Sequence, residues 1–189
     1  MPLDDTELMQ RTASGDERAF EELIERYQML VIGTIAKMLG DASTAEDLAQ
    51  QVFIRVWQAA PRYRATAKFT TWLMTITRNL VFNETRRRGR ARLFPMEHED
   101  GTPREIHDLG TVEPGHRLQE KELQDAIEMA IASLPEQQRL ALILRRYEEM
   151  AYEEIAAVLE TTVPSVKSLL FRAREALRSK LAKFLDDSF

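Results

Sequence analysis

A chain of 189 residues that is 44% hydrophobic and 30% charged can bury one core or two small ones, and no apolar run in it approaches the ~20 residues of a membrane span. It has no cysteine, which excludes disulfides and thiolate metal sites. Its first ten residues, MPLDDTELMQ, are acidic and polar rather than a secretory signal, so a cytoplasmic location is expected and membrane insertion is not. The net charge of −5 argues against a protein that coats nucleic acid indiscriminately, but the charge is uneven. Residues 1–92 hold 14 Lys+Arg against 12 Asp+Glu, net +2; residues 93–119 hold 2 against 6, net −4; residues 120–189 hold 10 against 13, net −3. A basic patch on an acidic protein implies local, oriented contact with nucleic acid and leaves acidic surfaces for other partners.

The pattern predicts helices throughout. Residues 4–14 form a short helix ended by Gly15. Asp16 then caps a second, with Phe20, Leu23, Ile24, Tyr27, Leu30 and Val31 at helical spacing up to about Leu39 and a stop at Gly40, and both helices are expected to serve the core. Ser43 or Thr44 starts a third, stopped by Pro61. Leu48, Val52 and Val56, with or without Phe53, make its buried stripe, leaving Asp47, Gln50, Gln51, Ile54, Arg55 and Trp57 outside. Exposed aromatics and arginines mark interface anchors; the alternative is that Trp57 folds back into the core.

Residues 62–92 read RYRATAKFTTWLMTITRNLVFNETRRRGRAR. No acidic residue lies between Asp47 and Glu84. Tyr63, Phe69 and Trp72 sit among Arg62, Arg64 and Lys68, and the run ends in Arg86, Arg87, Arg88, Arg90 and Arg92. Rings that stack on bases and cations that follow phosphates suit a single strand of nucleic acid. On a helix of 3.6 residues per turn, Phe69, Leu73, Ile76 and Leu80 fall on one core stripe. A neighbouring stripe carries Trp72, Thr75, Asn79, Asn83, Arg86 and Arg90. The plainer reading is a core helix with a solvated basic end and a packed Trp72.

Residues 93–119 show no helical period and contain Pro95, Gly101, Pro103, Gly110, Pro114 and Gly115; they read as a tether. His98, His107 and His116 lie in it without helical register, and no metal site is expected there. A helix over 120–133 follows, then a break at Leu134-Pro135 and a helix to about Tyr147. From Tyr152, two amphipathic helices flank a turn at residues 160–162. Thr162 is a good N-cap and Pro164 is tolerated in a first turn. Ile155, Ala156 and Leu159 face Val166, Leu170, Ala173 and Leu177, which is helix-turn-helix geometry, with a plain helical hairpin as the alternative. Ser165, Ser168, Leu169 and Arg172 project beside or away from that stripe, flanked by Arg174 and Arg178, a set suited to base edges and phosphates.

Taken together, the two ends resemble a bacterial RNA polymerase sigma factor of the extracytoplasmic-function (ECF) group over nearly the full chain. EDLAQQVFIRVW at 46–57 resembles region 2.2, residues 62–72 ending KFTTWL resemble region 2.3, and MTITRNLVFNETRRRGRAR at 73–92 resembles region 2.4. LPEQQR at 134–139 resembles the start of region 4.1; YEEIA at 152–156 and Val166-Lys167-Ser168 resemble region 4.2. The resemblance implies an all-α fold of two small helical domains: region 2 at 1–93, a flexible acidic linker at 94–119, and region 4 with its helix-turn-helix at 120–189. It implies binding to core RNA polymerase through the β′ clamp helices, with Asp47, Gln50, Gln51, Arg55 and Trp57, and through the β flap. Melting and reading of a −10 element falls to Arg62, Tyr63, Arg64, Lys68, Phe69, Trp72, Thr75, Arg78, Asn79, Asn83, Arg86 and Arg87. Reading of a −35 element falls to Ser165, Lys167, Ser168, Leu169, Arg172 and Arg174. An anti-sigma factor is a further implied partner; no cofactor, metal or catalysis is implied.

The chain departs from the family pattern at three places: Glu160 where a turn glycine is usual, Leu169 where an arginine is common, and Glu149-Met150-Ala151 in place of a glycine and a hydroxyl cap. Two other readings compete. A stand-alone helix-turn-helix regulator would explain residues 134–180 but not the aromatic-basic run. A nuclease would need the clustered acids that the basic stretch lacks.

Overall fold

A computed structural model describes residues 3–93, 114–182 and 184, with helix α1 at Asp5–Ala13, α2 at Glu17–Leu39, α3 at Ala42–Ala59, α4 at Phe69–Leu93, α5 at Pro114–Ala132, α6 at Glu136–Arg146, α7 at Tyr152–Leu159 and α8 at Val163–Lys180. A single 3-10 turn, Ala60–Arg62, follows α3. The described residues contain no strand, and no helix among them is long and apolar enough to cross a membrane. The chain is all-α, as the periodicity predicts.

Most boundaries follow from local chemistry. Asp4 and Asp16 accept hydrogen bonds from the first-turn amides of α1 and α2, which would otherwise be unpaired donors. Gly40 closes α2 at φ 67°, and its N–H bonds the Ala36 carbonyl, the left-handed C-terminal cap that glycine adopts without steric cost. At α3 the capping residue is Asp41, whose Oδ1 accepts from the Thr44 amide at 3.1 Å. Ser43 and Thr44 lie inside the first turn, so the expected start is two or three residues late. The carboxylate outcompetes the hydroxyls because an ionised acceptor also meets the positive helix end. Helix α5 begins at Pro114, six residues before the expected 120; the fixed φ of proline suits a first turn. Residues 94–113, most of the expected tether with His98 and His107, lie outside the described residues, and only the backbone of His116 is described.

Helices α1 to α4 form one unit, in which α2 packs on α1 and α3, and α4 closes over α3. Leu8, Met9, Leu23, Val31, Ile35, Met38, Leu73 and Met74 are fully buried there. Each such side chain contributes roughly 1.5–3 kcal/mol on burial. Helices α5 to α8 form the second unit, with α6 and α7 both against α8 around Ile143, Leu144, Ile155 and Leu170. The two units also pack on each other, α4 against α7 and α2 against α6, so that one continuous apolar cluster runs through both.

Beside this contact lies Glu148. Its carboxylate accepts from Thr34 Oγ1 at 3.4 Å, and Lys37 stands over the neighbouring Tyr147 ring. Burial pushes the carboxyl above the ordinary glutamate value of 4.5, and the attraction of Lys37 and the bond from Thr34 do not offset it. A carboxyl whose pKa is raised on folding favours the folded state at low pH and loses that benefit as pH rises. Glu148→Gln is therefore expected to match the parent below about pH 4 and to melt at a higher temperature at pH 7. Thermal melts across that range check the sign.

Candidate nucleic-acid interface

The aromatic-basic stretch folds into a cluster. Tyr63 leaves the 3-10 turn and meets Trp72 edge-on, with ring centroids 4.9 Å apart; Phe69 lies 6.2 Å from Tyr63 and 5.8 Å from Trp72. Such tilted and edge-on pairs are the favourable arrangements for ring quadrupoles. Phe69 is buried and also touches Tyr27; Tyr63 and Trp72 are half-buried. Phe69 is the floor of the cluster, and the two outer rings keep an exposed edge. Arg62, Arg64 and Lys68 are exposed around it.

Along α4, Leu73 and Leu80 are buried as the stripe predicts, but Ile76 is only half-buried. It lines a cleft of ≈ 350 Å³ between α3 and α4, together with Arg55, Gln58, Ala59, Arg62 and Asn79. The structure thus brings Arg62 and Asn79 to one opening. Thr75 donates its hydroxyl to the Thr71 carbonyl at 2.9 Å, which leaves that oxygen free only as an acceptor. The Asn79 amide oxygen accepts from Arg78 Nε at 3.1 Å and Nη2 at 2.6 Å. Asn83 is exposed.

The arginines at the end of α4 are not equivalent. Arg87 makes a two-pronged pair with Glu84, at 2.7 and 2.8 Å. Arg88 bridges Glu84, Asp41 and Thr44, which ties α4 to the start of α3. Bonds from Arg87 and then Arg88 hold the Glu84 carboxyl below its ordinary value. Arg86 and Arg90 are exposed and have no acidic partner among the described residues. Among the described side chains of this run, they are the cations whose charge is uncompensated.

Arg78 is the most buried of the described cations of the stretch. Its side chain is only 9% exposed. It donates from Nη1 to the Val158 carbonyl at 2.7 Å and from Nη2 to Glu160 at 2.7 Å, both across the contact between the two units. Lys68 pairs with Glu154 at 2.8 Å across the same contact, and with the Ala151 amide this bond holds the Glu154 carboxyl below its ordinary value.

On the second unit, Thr162 caps α8 by accepting from the Ser165 amide, and α7 and α8 meet as the spacing predicts. Lys167, Ser168, Arg172 and Arg174 are exposed on α8, and Ser165 is half-exposed. Leu169 is half-buried and packs on the apolar cluster, so it sits apart from that exposed set. In the turn, Glu160 has φ 53° and ψ 48°, the left-handed conformation that the expected glycine takes freely. A residue with a Cβ holds it at a cost of roughly 1–2 kcal/mol. Glu149 is likewise at φ 52°. Ala151 supplies no side-chain cap to α7, but Glu154 accepts from its amide at 2.8 Å, which is half of a capping box.

A third surface lies on the opposite side of α3. Trp57 packs on Phe20 with centroids 5.0 Å apart, and both line an open groove of ≈ 630 Å³. Ile24, Ile32, Phe53 and Ile54 make its apolar wall, and Glu46, Gln28, Gln50 and Gln58 its polar rim. Ile54 is 57% exposed. Phe20 and Ile24, expected in the core, do pack on the apolar cluster and also wall this groove. Their helical period is the same whether they face a core or a groove, and only the exposed Ile54 beside Trp57 hinted at the difference. Asp47, Gln51 and Arg55 are exposed on α3 outside this groove.

Comparison with known proteins follows the same division. Residues 23–91 match the family model for sigma-70 region 2, and residues 124–177 match that for sigma-70 region 4. The chain is 35% identical to the RNA polymerase sigma-H factor of Pseudomonas aeruginosa, with 97% of each chain covered. It is 33% identical to the ECF RNA polymerase sigma-E factor of Escherichia coli, with 95% of each covered. Among solved structures it is similar to CnrH in complex with the cytosolic domain of CnrY, with a TM-score of 0.66 at 24% identity over 98% of this chain and 99% of that one. It is also similar to the sigma factor RpoE in complex with the anti-sigma factor NepR from Bartonella quintana, with a TM-score of 0.68 at 23% identity over 86% and 96%. These two likenesses establish the fold. The identity across almost the whole length of the curated relatives, together with both region models, establishes more: this chain belongs to the extracytoplasmic-function group of sigma-70 factors, which initiate transcription and are not enzymes.

Proposed function

We propose that this protein binds core RNA polymerase, directs it to a set of promoters, and initiates transcription by reading a −35 element with α8 and melting a −10 element with the 3-10 turn and α4. The observation that carries this is the presence in one chain of two unlike DNA-competent surfaces. Tyr63 and Trp72 present ring edges over buried Phe69 among Arg62, Arg64 and Lys68, a stacking platform for a melted strand. The exposed Lys167, Ser168, Arg172 and Arg174 on α8 suit a duplex groove. A stand-alone regulator needs only the second. The cleft at Ile76, with Asn79 and Arg62 at its mouth, has the apolar floor and polar rim that an unstacked base requires. The units would be residues 1–93 and 120–189, joined by 94–119, and the site of action the cytoplasm.

The groove at Trp57 supports the polymerase-facing role, as argued in the Discussion. An anti-sigma factor is the natural regulator of such a surface, and Phe171, 65% exposed on α8, is a second apolar group it would cover. Recovery of the factor from cells with a stoichiometric inhibitor checks this.

The decisive experiment reconstitutes the chain with core polymerase and measures run-off transcription over a promoter panel. Specific initiation is expected only with both present; tight duplex binding by the chain alone, without polymerase association, would favour the regulator reading. In the same assay Arg86→Ala should weaken all promoters alike and lower the salt slope of binding by about one. Arg87→Ala should lower it by less, because Glu84 already offsets part of its charge.

A further inference from the structure

The aromatic-basic stretch contains a single acid. Between Asp47 and Glu97 the sequence has no Asp or Glu except Glu84, and the Glu84 side chain is only 9% exposed. An ionised carboxylate is costly to withdraw from water unless its oxygens are bonded. Here both are: Oε2 accepts from Arg87 Nε at 2.7 Å, and Oε1 accepts from Arg87 Nη2 and Arg88 Nε, each at 2.8 Å. The Arg87 pair is therefore a fork, two parallel bonds to one carboxylate, made with a guanidinium edge that would otherwise grip two oxygens of a phosphate. Arg88 is held from its far end as well, donating from Nη2 to Asp41 at 3.0 Å and Thr44 at 2.7 Å. It is 31% exposed, against 73% for Arg87. The bonds from both arginines keep the Glu84 carboxyl below its ordinary value, so it stays charged near neutral pH. Arg86 and Arg90 are exposed and have no acidic partner among the described residues. The end of α4 thus carries two arginines offset by acids and two that are not.

We infer that Glu84 is a specificity-determining residue of the −10 surface: as an internal counter-ion it takes Arg87 and Arg88 out of backbone binding, so that Arg86 and Arg90 hold the phosphates and base contacts decide which promoters are occupied. Phosphate contacts carry no sequence information, so each one strengthens every promoter by the same factor. With more free arginines, weak promoters would approach saturation together with strong ones, and the difference made by base contacts would no longer show in occupancy. The pairing acts through counter-ion release. An arginine that leaves a carboxylate for a phosphate displaces a cation from the DNA, but the bared carboxylate recruits one, and the net gain is small. As helix pairs at spacings of three and four, the same bonds add little to stability. The inference rests on the proposed reading of α4 as a DNA-facing helix.

The test titrates holoenzyme, made from the full chain and core polymerase, against fluorescent promoter fragments between about 50 and about 200 mM salt. Two promoters that differ in strength in the run-off panel serve as ligands. Glu84→Gln keeps the size of the side chain and one acceptor oxygen but removes the charge. It should steepen the slope of log affinity on log salt by about 0.7–0.9, the equivalent of one phosphate, which is about a threefold extra gain at the low-salt end. The order of the two promoters should not change, while their occupancies at a fixed holoenzyme concentration should converge. Arg87→Ala in the Glu84→Gln background should return the slope to the parent's, whereas Arg87→Ala alone should move it by less than half as much. A purely structural Glu84 would shift the melting temperature but not this coupling between two residues. A folded Glu84→Gln protein with the parent's slope, or a gain that survives loss of Arg87, would overturn the inference. If Glu84→Gln does not fold, Arg87→Ala alone decides: a slope change as large as that of Arg86→Ala rejects the counter-ion role, and a smaller one supports it. Failure of the underlying reading looks different. If Arg86→Ala leaves the slope unchanged, α4 is not on the DNA and the inference falls with that reading; if Arg86→Ala flattens the slope and Glu84→Gln does nothing, only the inference falls.

Discussion

Trp72→Ala is expected to leave core polymerase binding intact and to impair promoter opening, with pre-melted template restoring initiation. Opening a duplex requires bases to leave the stack at a cost of a few kcal/mol each. A ring placed against a freed base returns ~1–3 kcal/mol, so removal of that ring should lower the open-complex population by roughly 5- to 150-fold. Trp72 is placed to do this. It stands on buried Phe69, is braced edge-on by Tyr63, and keeps a half-exposed face among Arg62, Arg64 and Lys68. Phe69 is buried, and its replacement would test the fold rather than the opening step. Because Trp72 also packs, Trp72→Ala carries a stability cost, below the ~3–5 kcal/mol of a fully buried aromatic. Trp72→Phe keeps a ring on the same support and should recover most of the opening activity. Equal failure on pre-melted and duplex templates by a folded Trp72→Ala protein would remove it as the opening wedge. Asn79, whose oxygen is held by Arg78, still offers its amide N–H groups to a base edge, so Asn79→Ala should change sequence preference rather than opening itself.

The residues that were legible in the sequence are those whose chemistry is local. Asp16 and Thr162 as caps, Gly40 as a stop, and the stripe of Phe69, Leu73 and Leu80 all follow from backbone donors, left-handed φ and the helical repeat. Asp41 was missed as a cap because three oxygen-bearing residues compete within four positions. Arg88, which bonds both Asp41 and Thr44, helps to select it, and that contact is 47 residues away in sequence. Periodicity reports that a face is covered and not what covers it. Hence Ile24 and Phe20 read simply as core, although besides packing on the apolar cluster they wall a groove, and Arg78 read as one cation among many although, of the described cations of its stretch, it alone is buried against the other unit. The pairing of Arg78 with Glu160 has no local signal. Glu160 was visible only as an anomaly, a charged residue where the turn favours glycine. Its φ of 53° now gives that anomaly a physical content.

Trp57→Ala is expected to weaken binding to core polymerase by about 30-fold or more while helix content stays intact, as loss of a hot-spot tryptophan worth ≥ 2 kcal/mol implies. The groove has the anatomy of a protein-binding site: an apolar centre of Phe20, Ile24, Phe53, Ile54 and Trp57, and a rim of amide and carboxylate side chains. Its centre is supported from below, since Phe53 is buried and Trp57 leans on Phe20 at 5.0 Å, so little side-chain entropy is lost on binding. Ile54 stands exposed at the edge, where the free chain gains no burial from it. A helical partner laying apolar residues into the groove would cover Ile54 and Trp57 together, and Ile54→Ala should therefore share the direction of the Trp57 effect at smaller size. Arg55 gives an internal contrast. It lies one residue from Ile54 but opens onto the cleft with Arg62 and Asn79. Arg55→Ala should weaken core binding less and mainly through association rate and salt dependence, as charges outside a desolvated centre do. Titration of labelled core polymerase with each variant decides the matter. If Trp57→Ala binds as tightly as the parent, the groove is not the polymerase contact, and the loss of affinity must be sought instead at Asp47, Gln51 and Arg55 on the other faces of α3.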